Sequence, residues 1–280
     1  MEKIKYDKEY FNILDTLECG QTFRFEKKDN GYLVYSLDKC AFVYEEENYT
    51  IIECENQDKQ YFINFFDLDR DYSLIVKSAI DLNIETLKIS ATVGRGIRIL
   101  KQDAFEMLFS FIISQNNNIP RIKKSIFQIC EKFGERKVFK NYQYFTFPTI
   151  EKLITLSEED FRSCGVGFRA RYLKNLMAEI ALGLDIGALN GLETEVLRRK
   201  LMCLLGVGRK VADCVILFGF YHLDCFPVDT WIEKVYVQDF KGNLTDREEI
   251  SKWFVNEFKD MSGYYQQYLF DYKRRFQNKK

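Results

Sequence analysis

A very tight connection between two apolar helices is predicted in the C-terminal third of the chain. Residues 201–220 carry the sequence LMCLLGVGRKVADCVILFGF, in which two apolar stretches flank Gly206-Val207-Gly208. Glycine takes positive φ angles without a Cβ clash, so two glycines around one apolar residue permit a turn too tight for larger side chains. The pattern predicts a helical hairpin within residues 196–220 and limits the chain to folds that can contain one.

The start of the second hairpin helix offers a binding site for an anion. Its first backbone N–H groups have no partner within the helix and lie at the positive end of the helix dipole. The pattern L-x-x-L-x-G-V-G-x-x-x-A is typical of the helix-hairpin-helix motif, which binds the DNA backbone without distinguishing bases. The motif therefore favours DNA binding. A plain corner between packed helices can carry the same glycines, so a purely structural role for this hairpin stays open.

Lys210 lies in the first turn of the second helix, next to the expected phosphate site. Cys214 follows four residues later on the same helical face. Removal from water among Val207, Val211 and Leu205 would favour the neutral amine, which is a nucleophile able to form Schiff bases. A surface lysine would only contact the backbone of the DNA. We therefore expect Lys210 to be a catalytic residue.

Asp229 lies in the segment FPVDTWIEKV, nineteen residues after Lys210. Phe226-Pro227 favours an extended backbone and places Asp229 at the start of the next helix. The simplest interpretation of an isolated aspartate at this point is an N-cap, whose carboxylate accepts backbone N–H bonds. Such a carboxylate stays ionised and can also stabilise a cationic centre, so the two roles are compatible.

The hydrophobic pattern predicts an α+β chain with a β-rich N-terminal domain, residues 1–100, and a helical domain, residues 101–280. Runs rich in Tyr, Val, Ile and Phe predict a meander of antiparallel strands. After Asp103-Ala-Phe-Glu106, which resembles a capping box, the apolar segment FEMLFSFIIS predicts a buried helix. The predicted strands are 31–36, 40–44 and 49–54, and the later helices are about 120–133, 150–156, 158–163, 170–184, 192–204, 209–220, 230–239, 246–258 and 262–275.

The composition argues against several classes of protein. With 46% hydrophobic residues the chain can form a packed core, and no run of about 18 apolar residues is present to span a membrane. A single histidine, His222, argues against histidine-paired zinc sites and Ser-His-Asp hydrolysis. The eight cysteines include no C-x2-C pair, which argues against a zinc ribbon or an iron–sulfur loop. We expect no metal and no cofactor.

The charge is distributed unevenly along the chain. Residues 1–100 carry 13 Lys and Arg against 19 Asp and Glu, whereas the remainder carries 28 against 23. A polyanion would therefore bind the C-terminal two thirds. The N-terminus has no signal sequence, which predicts a cytoplasmic protein.

Three further segments, together with the hairpin and the P-V-D loop, resemble the 8-oxoguanine DNA glycosylase (Ogg) family of the helix-hairpin-helix DNA glycosylase superfamily. They are LECGQTFRF at 17–25, DAFEMLFSFIISQNNNIPRI at 103–122 and GVGFRARYL at 165–173, and they occur in family order across about nine tenths of the chain. The resemblance implies a TATA-binding-protein-like antiparallel β domain followed by an all-helical body. It also implies a bifunctional glycosylase and AP lyase that excises 8-oxoguanine from duplex DNA in base excision repair.

The resemblance implies specific roles around the excised base. Lys210 would attack C1′ and remain as a Schiff base that permits β-elimination of the 3′ phosphate. Asp229 would stabilise the positive charge that develops on the sugar and help to deprotonate the attacking amine. Gly20 would offer its carbonyl to the N7–H that 8-oxoguanine has and guanine lacks, which is a sound basis for discrimination. The other substrate-binding residues would be Cys214 and Phe270, which sandwich the base, Gln266 on its Watson–Crick edge, and Pro227.

The resemblance also implies contacts with the rest of the duplex. Asn116, Arg121 and Arg169 would hold the orphaned cytosine, and Phe168 would fill the gap left in the base stack. The hairpin glycines, Gly206 and Gly208, would bind a phosphate. For the three consecutive asparagines that begin at Asn116, a helix C-terminal turn is the simpler interpretation, since asparagine tolerates left-handed backbone.

The chain departs from the family pattern at three positions. Trp231 replaces a histidine that supports a phosphate, Phe168 replaces a tyrosine, and Pro120 precedes Arg121. With a net charge of −1 as well, we expect DNA binding that weakens strongly with salt, and a relaxed preference for cytosine opposite the lesion.

Two alternatives remain. A sister glycosylase for alkylated bases usually lacks the lysine, and the adenine-removing branch normally carries four C-terminal cysteines, whereas no cysteine follows Cys225 here. A non-catalytic DNA-binding module needs the hairpin but not a lysine and an aspartate in one pocket. We expect a monomer that binds duplex DNA and no membrane, in the cytoplasm or, in a bacterium, at the nucleoid.

Overall fold

Five antiparallel strands form one sheet near the N-terminus of the computed structural model, which describes residues 1–276. Across the sheet the order is β1-β5-β4-β3-β2, so β3, β4 and β5 are neighbours and form the predicted meander. The other two strands were not predicted, because charged residues outnumber apolar ones in both. In chain order the strands are β1 (Glu2–Asp7), β2 (Phe25–Lys28), β3 (Gly31–Ser36), β4 (Lys39–Glu46) and β5 (Tyr49–Cys54).

Helices make up most of the remaining structure. Each of the nine helices predicted after residue 119 overlaps a helix of the structure, and the α+β architecture with a helical body is confirmed. Four helices accompany the sheet: α1 (Ile13–Glu18), α2 (Lys59–Phe65), α3 (Tyr72–Asp81) and α4 (Glu85–Val93). The body contains α5 (Ala104–Ser114), α6 (Ile119–Phe133), α7 (Ile150–Ile154), α8 (Glu158–Phe161), α9 (Ala170–Ala181), α10 (Thr194–Met202), α11 (Arg209–Phe218), α12 (Thr230–Gln238), α13 (Arg247–Phe258) and α14 (Ser262–Phe276).

A two-stranded hairpin, β6 (Arg136–Phe139) and β7 (Tyr142–Phe145), interrupts the helical body. It was not predicted. Its Tyr144 ring stacks on Tyr35 of β3 at a centroid distance of 5.5 Å, and this contact extends the aromatic surface of the sheet onto the body.

The largest hydrophobic core contains buried side chains from both sides of residue 100, such as Tyr72 and Leu217. The last helix, α14, packs against both α4 and α12. The proposed division into residues 1–100 and 101–280 stays a prediction. Within residues 1–276, no helix has both the length and the apolar character needed to cross a membrane.

A buried ion pair joins the start of β2 to α5. The Arg24 Nη1 atom lies 3.2 Å from Oε1 of Glu106, and both side chains are almost fully buried. The predicted capping box is therefore only half correct. Asp103 accepts the N–H of Glu106 as an N-cap, but the Glu106 carboxylate bonds to Arg24 and to the N–H of Leu37. It does so because the guanidinium is a stronger partner than a backbone amide.

We predict that Glu106→Ala lowers the free energy of unfolding by about 3–5 kcal/mol, because the substitution leaves the buried Arg24 guanidinium without its counter-ion. Urea denaturation measures the loss. The matched control is Glu151→Ala on α7, which removes an exposed glutamate. The double variant Arg24→Met/Glu106→Leu should recover most of the stability, and a loss below about 1 kcal/mol in Glu106→Ala would contradict the assignment.

Candidate active site

The predicted hairpin is formed by α10 and α11. Gly206 has φ +82°, and a Cβ atom at this position would lie 2.4 Å from Cγ of Tyr172, so both the turn and the packing require glycine. Gly208 is the N-cap of α11, and no described atom lies within 4 Å of the place its Cβ would occupy. No side chain of the described residues therefore covers the N-cap of α11, and an anion has room to approach the start of this helix.

Lys210 is the second residue of α11, and its side chain is half-buried. Its Nζ atom lies 5.3 Å from the centroid of the Phe111 ring on α5. Val207 and Val211 are buried as expected, whereas Leu205 is 41% exposed, contrary to the expectation. Phe111 supplies an apolar surface that the hairpin sequence does not contain.

Asp229 is the N-cap of α12, as predicted. Its Oδ1 atom accepts the backbone N–H groups of Trp231 and Ile232 at 2.9 and 3.0 Å. Both bonds use the same oxygen, so the cap leaves Oδ2 for another partner. The aspartate is thus fixed in position by the helix that it begins, while its charge stays directed towards the neighbouring cavity.

One small cavity is lined by all the predicted catalytic and substrate-binding residues. These residues come from α11, the loop before α12, α14 and the end of α1, and are Lys210, Cys214, Pro227, Asp229, Gln266, Phe270 and Gly20. The free volume is about 40 Å³, which holds a few water molecules and is too small for a purine. A base can enter only when a lining side chain moves aside.

The Phe270 ring closes the cavity against Gly20. A Cβ atom at Gly20, where φ is +84°, would lie 3.3 Å from Cε1 of Phe270. Glycine is therefore required here both for its backbone angle and for the approach of the ring. Without a side chain between them, the Gly20 peptide and the Phe270 ring form the two sides of a narrow slot.

Gln266 places an unpaired acceptor in this cavity. Its Nε2 atom donates to the carbonyl of Pro227 at 3.2 Å, whereas its buried Oε1 atom has no partner among the described residues. A buried carbonyl oxygen without a hydrogen bond is unfavourable by itself and indicates a missing ligand or water.

Burial raises the pKa of the Cys214 thiol to about 11, although the positive charge of Lys210 acts in the opposite direction. The sulfur is therefore protonated and uncharged at neutral pH. It presents a small polarizable surface to the cavity, and it does not act as a second anion beside Asp229.

Four residues that line the cavity were not predicted: Cys19, Phe111, Phe218 and Gln267. Phe111 and Phe218 stack at a centroid distance of 5.9 Å, and both lie in apolar runs where nothing distinguishes them from core residues. Gln267 is adjacent to Gln266, and a buried pair of glutamines in the segment GYYQQYLFDY is a signal that could have indicated it.

A second group of predicted residues lies at the ends of α5 and α9. Asn116, Arg121 and Phe168 are exposed, and the Phe168 ring is 51% accessible. Asn116 has φ +45° immediately after α5, which agrees with the simpler interpretation of a left-handed turn. Asn118 is the N-cap of α6 and accepts the N–H of Arg121 at 3.0 Å.

Arg169 is not exposed with this group. It is 4% accessible, and its guanidinium donates to the carbonyls of Gln115 and Asn116 in the turn after α5 and to that of Val166, three residues before it in the chain. Burial and then the charge of Arg121 lower the pKa of Arg169. In this conformation Arg169 stabilises the turn between α5 and α6.

Two protein-family models match consecutive parts of the chain. The model described as 8-oxoguanine DNA glycosylase, N-terminal domain, matches residues 3–108. The model described as HhH-GPD superfamily base excision DNA repair protein matches residues 109–256.

Individual relatives resemble the chain over most of its length. A probable N-glycosylase/DNA lyase of Methanothermobacter thermautotrophicus is 31% identical over 231 residues, 75% of this chain and 72% of the relative. The N-glycosylase/DNA lyase of Saccharomyces cerevisiae is 32% identical over 269 residues, 85% of this chain and 71% of the relative. The Clostridium acetobutylicum 8-oxoguanine glycosylase/lyase, solved with double-stranded DNA containing cytosine opposite 8-oxoG, is 37% identical with a TM-score of 0.90, covering 98% of both chains.

We predict that iodoacetamide at pH 8 modifies Cys203 and spares Cys214. Cys203 is exposed, whereas Cys214 is buried and has a pKa of about 11, so only about one thiol in a thousand is ionised at this pH. Peptide mass spectrometry should show Cys214 reacting at least about a hundredfold more slowly. Cys203→Ser should remove the rapid reaction, and equal rates at the two cysteines would contradict this description of the cavity.

Proposed function

Because this chain belongs to the 8-oxoguanine DNA glycosylase family, within the HhH-GPD superfamily of base excision DNA repair proteins, we infer that it is a bifunctional DNA glycosylase and AP lyase. Its substrate is duplex DNA that contains 8-oxoguanine, as for the Clostridium acetobutylicum relative. The observation that carries this proposal is the convergence of Lys210 and Asp229 on one cavity with Gly20, Gln266 and Phe270.

In the proposed first step, the neutral amine of Lys210 attacks C1′ of the damaged nucleotide. The bond between C1′ and the base nitrogen breaks, and its electron pair leaves with the base, which takes up a proton. The lysine nitrogen loses a proton with the help of the Asp229 carboxylate, and the bond from C1′ to the ring oxygen then breaks while that oxygen takes up a proton, which gives a protonated Schiff base. The Schiff base draws electrons from C2′, which loses a proton while the bond from C3′ to the 3′ phosphate oxygen breaks.

Asp229 supports this chemistry as a fixed negative charge. The sugar becomes positively charged as the base departs, and an ionised carboxylate across the cavity stabilises that charge. Because Oδ1 is held by two backbone N–H groups, the carboxylate does not have to reorganise during the reaction. The proposed steps use the amine of Lys210, the charge of Asp229 and proton transfers, with no net oxidation or reduction, so they require no metal or cofactor.

The proposed base pocket distinguishes 8-oxoguanine by one hydrogen bond. The Gly20 carbonyl accepts the N7–H of the damaged base, whereas the N7 lone pair of guanine would face that carbonyl unfavourably. Cys214 and Phe270 contact the two faces of the base, and Pro227 completes the wall. The unpaired Oε1 atom of Gln266 supports a role on the Watson–Crick edge, where a guanine-type base presents N–H donors.

The remaining contacts are proposed for the duplex. Asn116 and Arg121 hold the orphaned cytosine, Phe168 fills the gap in the stack, and the hairpin glycines Gly206 and Gly208 bind a phosphate. The exposure of Asn116, Arg121 and Phe168 supports this assignment. Arg169 can join them in two ways. It can exchange one of its carbonyl partners for the cytosine, or it can donate the second N–H of Nη1, since the first N–H of that atom binds the Val166 carbonyl.

Two proposed properties follow from the positions at which the sequence departs from the family pattern. With Trp231 in place of a phosphate-supporting histidine and a net charge of −1, we propose that DNA binding weakens strongly with salt and that bases other than cytosine are tolerated opposite the lesion. We further propose that the protein acts as a monomer in the cytoplasm, at the nucleoid if the host is a bacterium.

We predict that Lys210→Gln abolishes covalent trapping by borohydride on an 8-oxoguanine·cytosine duplex. Removal of the amine prevents the Schiff base, so base release should fall by about a thousandfold or more. Gel analysis of the trapped complex measures the effect. Lys200→Gln, at an exposed lysine of α10, is the matched control and should trap normally, whereas normal trapping by Lys210→Gln would refute the assignment.

We predict that Asp229→Asn lowers the single-turnover rate of base release by about a hundredfold and changes lesion binding by less than about threefold. Asparagine caps helices about as well as aspartate, so the substitution removes the charge and keeps the cap. Asp246→Asn, at the N-cap of α13 where Oδ1 also accepts two N–H groups, is the control. Base release within about threefold of the wild type in Asp229→Asn would contradict the role of the charge, and a collapse of lesion binding would place that role in binding instead of in the chemical step.

A further inference from the structure

The last helix is attached to the end of α1 on both sides of Phe270. Gln267, which is 1% exposed, donates from Nε2 to the carbonyl of Cys19 at 2.7 Å. Arg274 donates to the carbonyl of Glu18. Gln267 precedes Phe270 by three residues and Arg274 follows it by four, so the two bonds lie about one helical turn before and one turn after the ring.

Charged contacts strengthen the same attachment. The Arg274 guanidinium lies 5.6 Å from the centroid of the Phe270 ring and pairs with Asp271 at 3.2 Å. Arg275 bonds to Asp15 of α1 at 2.6 Å. The carbonyls that these side chains engage belong to the end of a helix, which favours positive charge and N–H donors.

The chain after Gly20 is held just as firmly. Gln21 is fully buried, and its Nε2 atom donates to the carbonyls of Thr16 and Arg98 at 2.9 and 2.7 Å. Its own carbonyl accepts Nε2 of Gln102 at 2.8 Å. Gly20 therefore lies between two fixed points, the Cys19 carbonyl held by Gln267 and the Gln21 peptide held by its neighbours.

Glycine does not restrict its own backbone, so Gly20 cannot by itself hold its carbonyl in one direction. A hydrogen bond to N7–H requires that direction to be kept within a narrow range of angles. Gln267 supplies the restraint on the N-terminal side and also fixes the distance between the Gly20 backbone and the helix that carries Phe270. Movement of the Phe270 side chain can then admit the base while both backbones stay in place.

We propose that Gln267 is a positioning residue for discrimination between 8-oxoguanine and guanine, a proposal that rests on the function proposed above. Its amide holds the Cys19–Gly20 peptide so that the Gly20 carbonyl faces the base, and it sets the width of the slot between Gly20 and Phe270. It does not touch the sugar or take part in the reaction of Lys210.

The test is Gln267→Met, which keeps the volume of the side chain and removes the donor. Single-turnover excision of 8-oxoguanine should fall by about ten- to hundredfold, since a buried carbonyl is left unpaired and the slot is no longer fixed. Strand cleavage at a preformed abasic site needs no base recognition and should change by less than about twofold. The ratio of 8-oxoguanine to guanine excision should fall in parallel.

Tyr144→Phe is the control, because it also removes a buried donor to a backbone carbonyl, that of Asp38 at 2.9 Å, but lies away from the cavity. It should leave both rates unchanged. The proposal is overturned if Gln267→Met lowers abasic-site cleavage as much as excision, or leaves excision within about twofold of the wild type.

Arg274→Gln provides an independent second variant should Gln267→Met not fold. It weakens the attachment on the other side of Phe270, and it should separate excision from abasic-site cleavage in the same way; equal effects on both rates overturn the proposal. A wild-type protein that cleaves abasic sites but excises no 8-oxoguanine would refute the proposed function instead, so the two failures are distinguishable.

Discussion

The contact between the last helix and the end of the first one is the interaction on which the site depends. It brings residue 20 and residue 270 to opposite sides of one slot, although they lie at opposite ends of the chain. The hydrogen bond from Gln267 to the Cys19 carbonyl is at its centre. Without this closure, the hairpin with Lys210 and the capped Asp229 would still form from local sequence, but they would face a cavity with one wall missing.

The residues that carry out the reaction and the residues that recognise the base are thus held in position by different physical means. Lys210 lies in the first turn of α11, and Asp229 is the N-cap of α12. At both places the backbone geometry of the helix determines the position of the side chain. Gly20 and Phe270 depend on contacts between distant segments. A chain of this family can therefore retain its reactive pair while its preference for the base varies with the packing of α14 against α1.

Much of the fold and the site could be predicted from the sequence because the signals are local. The glycines of the hairpin, the proline before Asp229 and the runs of Tyr, Val, Ile and Phe in the meander all act within a few residues. What could not be predicted depends on partners distant in the chain. Glu106 bonds to Arg24 and not to its own helix N-terminus, Arg169 binds carbonyls more than fifty positions away, and Phe111 reaches Lys210 from another helix. The assignment of individual residues to DNA contacts stays a prediction.

The unpaired oxygen of Gln266 has a consequence for how selectivity is distributed. A buried acceptor that loses its hydrogen bond costs about 1–3 kcal/mol, and Oε1 of Gln266 has no donor among the described residues, so a ligand that displaces water from this oxygen must supply a donor itself. A base that offers an N–H at this edge relieves that deficit, whereas one that offers a lone pair preserves it. Part of the preference for the correct base is therefore already present in the unliganded fold, as the fixed orientation of an acceptor that only a base with an N–H at this edge can satisfy.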